Sequence, residues 1–268
     1  MDIRQFMKQE GEQPLDSIVT NGGLCGIFRR IACIGDSLSS SEFQSYENDA
    51  HGYHDFYEYS WGQYMARDAG CTVYNLSKGG MTAKDYDRFA RDKGFFNDEY
   101  KSQAYIIALG VNDVSRVLAG ELEFGELSDV CLEDYAKNKA TFVGYYAKII
   151  AKYQAIQPKG KFFLMTAPRS TSDSAERSAY YDRHAEILHG LAKMFPNCYV
   201  LDLRRYAPVY DDEFRRNFFL TGHMNAAGYR LTALMVESYI DYLIRHNPED
   251  FTQVSFIGTP YHNAKAKW

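Results

Sequence analysis

Five times along the chain a short apolar run of strand length ends in a turn of small residues and is followed by a stretch with helical character. The runs cover 28–34, 71–76, 104–109, 161–166 and 198–203. The helical stretches cover 57–69, about 82–91, 132–154, 175–195 and about 226–245. Strand and helix in alternation favour parallel strands, because a parallel neighbour is reached only through a crossover of about a helix's length, and such crossovers are right-handed. The expected architecture is α/β, with helices on both faces of one five-stranded, mainly parallel sheet.

A chain of 268 residues is long enough for one large α/β domain. The expected division is an N-terminal extension over 1–26, a single domain over 27–246 and a C-terminal surface tail over 247–268, where Pro248, Gly258 and Pro260 interrupt any period. Between strand one and its helix, residues 39–56 read as a polar loop laced with Tyr46, His51, Tyr53, His54 and Phe56. Such a loop could wall a cleft or simply pack on itself.

Charge narrows the partners. With 30 Lys plus Arg against 35 Asp plus Glu, the net charge of -5 supplies no basic field for nucleic acid or anionic lipid. Residues 1–13 are polar and charged, and no apolar run approaches the ~20 residues that span a bilayer, so the expectation is a cytoplasmic protein with no membrane partner. The five cysteines, Cys25, Cys33, Cys71, Cys131 and Cys198, lack Cys-x-x-Cys spacing, which argues against disulfides and zinc. Cys33, Cys71 and Cys198 fall in expected strands and read as buried thiols. His51 and His54 have no third ligand at recognisable spacing, so no metal or other cofactor is expected.

The strand-end turns carry the polar residues. The first run closes in Gly35-Asp36-Ser37, which sets a hydroxyl at the carboxyl edge of the sheet, where open α/β sheets bind ligands. Asp36 or Ser37 could equally be a helix cap. The second run leads to Gly79-Gly80, whose backbone N–H groups could meet an anion or merely turn the chain. The third closes in Gly110-Val111-Asn112-Asp113; the Asn112 amide could donate to a developing oxyanion or form an Asx-turn. His223 stands at the approach to the last helix.

Together, Gly35-Asp36-Ser37-Leu38, Asn75 with Gly80, Gly110-x-Asn112-Asp113 and His223-x-Asn225-Ala226-x-Gly228-Tyr229 resemble, in order and spacing, the four blocks of the SGNH, or Gly-Asp-Ser-Leu, hydrolase family. The resemblance spans 28 to about 245. It implies a flavodoxin-like three-layer α/β/α sandwich without metal, hydrolysing carboxylic esters through a serine acyl-enzyme. Carried over residue by residue, Ser37 matches the nucleophile and His223 the general base, while the Ser37 N–H, Gly80 and Asn112 match the oxyanion hole. A serine hydroxyl needs such a base, because it is a weak nucleophile until an imidazole takes its proton.

Two positions depart from the family pattern. Leu220 stands where the family usually carries the Asp that orients the histidine, and Ser41 stands where it often has Gly. A backbone carbonyl, giving a Ser37–His223 dyad, or else Asp211 or Asp212, is the expected substitute for the acid. The expected substrate is a small-molecule ester, with a short-acyl or carbohydrate O-acetyl ester preferred. A lysophospholipase or thioesterase of the same family, and a catalytically silent ligand-binding domain, are the alternatives.

Overall fold

The computed structural model describes residues 3–47 and 50–268. Positions 1 and 2 of the expected extension, and positions 48 and 49 of the expected 39–56 loop, lie outside the described residues. The strands are β1 (Arg30–Gly35), β2 (Glu42–Glu47), β3 (Ala50–Asp55), β4 (Thr72–Asn75), β5 (Ala104–Ala108), β6 (Lys161–Met165) and β7 (Cys198–Leu201). The α-helices are α1 (Ser37–Ser40), α2 (Trp61–Ala69), α3 (Ala83–Asp92), α4 (Val111–Leu118), α5 (Phe142–Ile156), α6 (Ala175–Met194), α7 (Leu203–Tyr206), α8 (Asp212–Phe218) and α9 (Ala226–His246).

Five strands pair in parallel in the order β4-β1-β5-β6-β7. Alternation along each strand sorts side chains to two faces. Ala32, Ile34, Tyr105, Ile107, Phe162 and Leu164 pack on one face with residues of α3, α5 and α6. Ile31, Cys33, Val73, Ala104, Ile106 and Phe163 pack on the other with residues of α2 and α9. The result is the expected three-layer sandwich. Its strand order reverses between β1 and β5, and that is where doubly wound sheets of this order open a crevice at the strands' carboxyl ends.

Helix starts follow the local chemistry. Ser60, Thr82, Thr141, Ser174 and Asn225 each accept a backbone N–H from the first turn of the helix they precede, worth about 1 kcal/mol apiece. Thr141 also corrects one expectation: the helix expected from 132 begins at Phe142. The residues before it fold instead around Asp129, which takes the Lys139 ammonium, the Thr141 hydroxyl and the Glu126 N–H.

Three further expectations are corrected. Residues 42–47 and 50–55 are not loop but two antiparallel strands, pairing Glu42 with Asp55, Gln44 with Tyr53 and Tyr46 with His51. The apolar anchor of this hairpin is Phe43, whose ring meets Phe56, Tyr59 and Tyr229. The segment over 247–268 is not only surface, since Phe251, Val254 and Ile257 are buried and Phe251 packs on the rings of Phe28, Phe163 and Tyr199. All five thiols are free, but only Cys25 and Cys33 are fully buried; Cys71 precedes β4, and both it and Cys198 are part-exposed.

The N-terminal segment lies along α9. Val19 and Leu24 donate their N–H groups to Ser238 and Asp241, and the Arg245 guanidinium bridges Glu12 and Asp241. Among the described residues no helix is long and apolar enough to cross a membrane.

Candidate active site

At the end of β1 the chain folds back on itself so tightly that a Cβ on Gly35 would lie 2.2 Å from the Ser39 hydroxyl. Asp36 then caps α1, accepting from Leu38 N–H at 3.0 Å, and its second oxygen lies 3.3 Å from Asn112 Nδ2. The cap predicted as an alternative to a catalytic role is thus present, and it sets Ser37 at the first position of α1, half-buried. Burial raises the Asp36 carboxyl to about 7. Helix α1 ends at Ser41 in the left-handed region, φ 64°. That conformation explains the family's glycine there: a serine can adopt it at a cost of about 1 kcal/mol, so the loop shape survives the substitution.

The second turn is tied to the first. Asn75 Nδ2 donates to the Ser39 carbonyl at 3.0 Å, and Lys78 N–H reaches the Gly35 carbonyl. Gly80, at φ 72°, needs the left-handed conformation that glycine takes without strain. The third turn closes the set. Asn112 Nδ2 donates to the Met81 carbonyl at 3.1 Å, and both Asp113 oxygens accept the Ala83 N–H. Asn112 therefore forms no Asx-turn; it sits in α4 with its amide between the Gly80 turn and Asp36. The N–H groups of Ser37 and Gly80 donate to no acceptor among the described residues.

His223 enters from another direction. It closes a turn in which Leu220 N–H donates to the His223 carbonyl, just before Asn225 caps α9. The hairpin holds this turn, because Gln44 Oε1 accepts from Gly222 N–H at 2.7 Å and from the Thr221 hydroxyl. Tyr53 stands edge-on to the imidazole at 6.3 Å. His223 Nε2 lies 3.3 Å from Glu42 Oε1, and Nδ1 is buried without a hydrogen-bond partner.

Burial pushes the His223 imidazole down, with the Asp55 charge opposing it. Burial, then Asp55, pushes the Glu42 carboxyl up. Both shifts are the mark of desolvation, which a half-buried Glu–His contact undergoes and a solvated surface salt bridge does not. Asp55 joins the two corners, since its carboxylate accepts from Ser40 of α1 at 2.6 Å.

Ser37, Gly80, Asn112 and His223 are thus brought to one rim, linked through Asp36, Met81, Asp55 and Glu42. The Ser37 hydroxyl does not hydrogen-bond His223 in this conformation, and such bonds often tighten only when substrate is bound. The acid expected from sequence is found in neither predicted place. Among the described residues no backbone carbonyl accepts from the ring, while Asp211 caps α8 and Asp212 is exposed. Leu220 is half-exposed. Glu42, Gln44 and Asp55 stand in a stretch whose polar composition reads as a loop, and Glu42-Phe43-Gln44-Ser45-Tyr46-Glu47 carries no strict apolar–polar alternation to mark a strand.

Beside the rim lies a cavity of about 230 Å³, lined among others by Leu38, Val111, Phe219, Gly222 and Met224. A larger cleft, about 600 Å³, lies between the N-terminal segment and α9 and shares none of the site residues. His51 and His54 point to opposite faces of the hairpin. Among the described residues no group of three or more His, Cys, Asp or Glu side chains is placed to hold a metal ion.

The GDSL-like Lipase/Acylhydrolase family matches residues 33–231, which include all four turns. No curated protein matches the sequence. Among solved structures, the chain is similar to a family two carbohydrate esterase from Clostridium thermocellum in complex with cellohexaose. The TM-score is 0.56 and the identity 16%, over 81% of this chain and 64% of that one. It is also similar to the acetyl xylan esterase AlAXEase, with a TM-score of 0.52 and 19% identity over 79% of this chain and 99% of that one. At these identities the likeness is one of fold.

Proposed function

The chain belongs to the GDSL-like lipase/acylhydrolase family, an SGNH-type esterase or acylhydrolase, and from that premise we propose that it cleaves short-acyl esters of carbohydrates through a Ser37 acyl-enzyme. The observation that carries this reading is the convergence, at the switch point of the sheet, of a half-buried serine, two unpaired backbone N–H groups, an inward amide and a desolvated imidazole.

In the reaction proposed, Ser37 Oγ attacks the ester carbonyl carbon as its proton passes to His223. The carbonyl oxygen becomes an oxyanion that the Ser37 and Gly80 N–H groups receive. Asn112 joins them by turning to it the amide hydrogen that Asp36 holds only loosely, at 3.3 Å. Collapse expels the alcohol, which leaves with the proton from His223. Water repeats the sequence on the acyl-enzyme and releases the acid. Burial suits His223 to the task, because it keeps the imidazole neutral and able to accept a proton below its ordinary pKa of 6.5.

Two features support the substrate class. The cavity beside the rim, about 230 Å³ and partly apolar, is smaller than the roughly 300–1,000 Å³ of drug-sized pockets and suits a small acyl group. On the hairpin face nearest His223, Tyr53 and Tyr46 are more than half exposed in alternate positions, a platform on which sugar rings stack. The carbohydrate-esterase neighbours are consistent with this.

The test is turnover of p-nitrophenyl acetate and of acetylated oligosaccharides, together with fluorophosphonate labelling. Wild-type protein is expected to be labelled at Ser37 and to prefer acetyl over octanoyl esters. Ser37→Ala should lose both labelling and about 10⁴-fold or more in kcat without a change in melting temperature. Folded protein that neither labels nor turns over would instead favour a silent binding domain.

A further inference from the structure

We propose that Glu42, supplied by the hairpin, is the carboxylate that positions and polarises His223 in place of the acid that Leu220 cannot supply. The inference rests on the esterase reading and deepens it. Its first support is placement: Glu42 Oε1 lies 3.3 Å from His223 Nε2, and the two side chains are about equally shielded, 15% and 17% exposed.

The second support is that the strand carrying this carboxylate is fixed against the site. The other carboxylate oxygen sits over the second turn, where a Cβ on Gly79 would come within 2.2 Å of Oε2. The Glu42 backbone carbonyl accepts from the Tyr229 hydroxyl at 2.8 Å, which ties the start of β2 to α9. From the same strand Gln44 grips Gly222, the residue before His223. One strand therefore fixes both the histidine turn and the acid that meets its ring.

A Glu42 carboxylate facing Nε2 selects the tautomer with hydrogen on Nε2. The lone pair then stands on Nδ1, the buried nitrogen to which no described residue hydrogen-bonds. When Ser37 gives up its proton, the proton goes to that lone pair and the ring becomes an imidazolium. Glu42 balances the positive charge without itself taking a proton, as the buried acid of a catalytic triad does. The proton then leaves on the departing alcohol. Glu42 acts through His223 and not on the substrate, so it is a positioning residue.

The charged and titratable groups around the pair are Asp55 on β3, Asp36 at the start of α1 and Tyr229 on α9. Glu42→Gln leaves all of these in place and keeps the side chain's size. It is expected to lower kcat by about 100-fold or more, within the ~10⁴-fold bound set by a triad Asp→Asn change, with KM little altered. The acid limb of kcat/KM, and the NMR titration of the His223 imidazole, should both move to lower pH, because the ring loses an anionic neighbour. Glu42→Asp should recover part of the rate.

Two failures are distinguishable. If wild-type protein hydrolyses ester and Ser37→Ala does not, but Glu42→Gln stays within about threefold of wild type with an unmoved acid limb, the role of Glu42 is overturned and the esterase reading stands. If wild-type protein neither labels nor turns over, the esterase reading falls and takes the catalytic role of Glu42 with it. An identical His223 titration in wild type and Glu42→Gln overturns the pairing whatever the activity.

Discussion

The two corners of the site are built from different material. Ser37, Gly80 and Asn112 rest on the carboxyl ends of β1, β4 and β5, and their turns are tied together by Asp36 and Asp113, two buried carboxyls that burial raises to about 7. His223 rides on a turn held chiefly by a two-stranded hairpin outside the main sheet, through Gln44 and Glu42. The nucleophile corner is anchored in the main sheet, whereas the histidine corner is anchored outside it, on the hairpin. Removing a buried strut of the first, such as Asp113, should show in folding; loosening the second should show in catalysis with the fold intact.

The sharpest probe of the first corner is Asn112→Ala. Removing an oxyanion donor is expected to lower kcat by about 10²–10³ while KM changes little. An unaltered kcat in a folded variant would reduce Asn112 to a strut between Asp36 and Met81.

Asp113→Asn probes what the buried carboxyls cost. The folded-state value of about 7 stands above the ordinary 3.8, with burial the main cause. The folded protein therefore binds the proton more tightly across that window, and this group's contribution to stability falls as pH rises from about 4 to 7. An asparagine does not titrate. Denaturation at pH 4.5 and at pH 8 should show the variant gaining on wild type by about 3 kcal/mol across the interval. A constant difference would mean that Asp113 is ionised in the core throughout.

In the second corner, Gln44→Ala removes the grip on Thr221 and Gly222 without touching the ring. A loss of about tenfold in kcat/KM is expected, from misplacement of His223, with the melting temperature within about 2 °C of wild type. A large drop in melting temperature would erase the contrast between the corners. The smallest effect should come from Asp211→Asn and Asp212→Asn. The first retains a capping oxygen and the second alters an exposed charge, so kcat/KM should stay within about threefold. A loss beyond about 100-fold in either would identify the acid of the site and displace Glu42.

Much of the nucleophile corner was legible because its logic is local. A continuous apolar run of strand length, a glycine at the turn that ends it, and a cap at the next helix are properties of a few consecutive residues. So Gly35-Asp36-Ser37, Gly79-Gly80 and Gly110-Val111-Asn112 could be set at strand ends from sequence alone. Ser41 was legible only as a departure. Its φ of 64° shows that the backbone kept the shape that glycine makes easy, so the substitution changed a cost and not a path.

The sequence by itself determined the alternation of the five sheet strands with helices and which turns lie at the sheet's edge, since short apolar runs, small-residue turns and a helical period of 3.6 residues are local signals. Only the tertiary structure decided what meets His223. Glu42 follows Ser37 closely in sequence and reaches the imidazole because Phe43, on the opposite face of its strand, is drawn into contact with Tyr229. The same holds for Phe251, an unpatterned aromatic near the C-terminus that is buried against Phe28 and Phe163. Contacts of this kind join elements whose own patterns are complete without each other. Their energy arises only when burial brings the two surfaces together, and no local pattern records the partner.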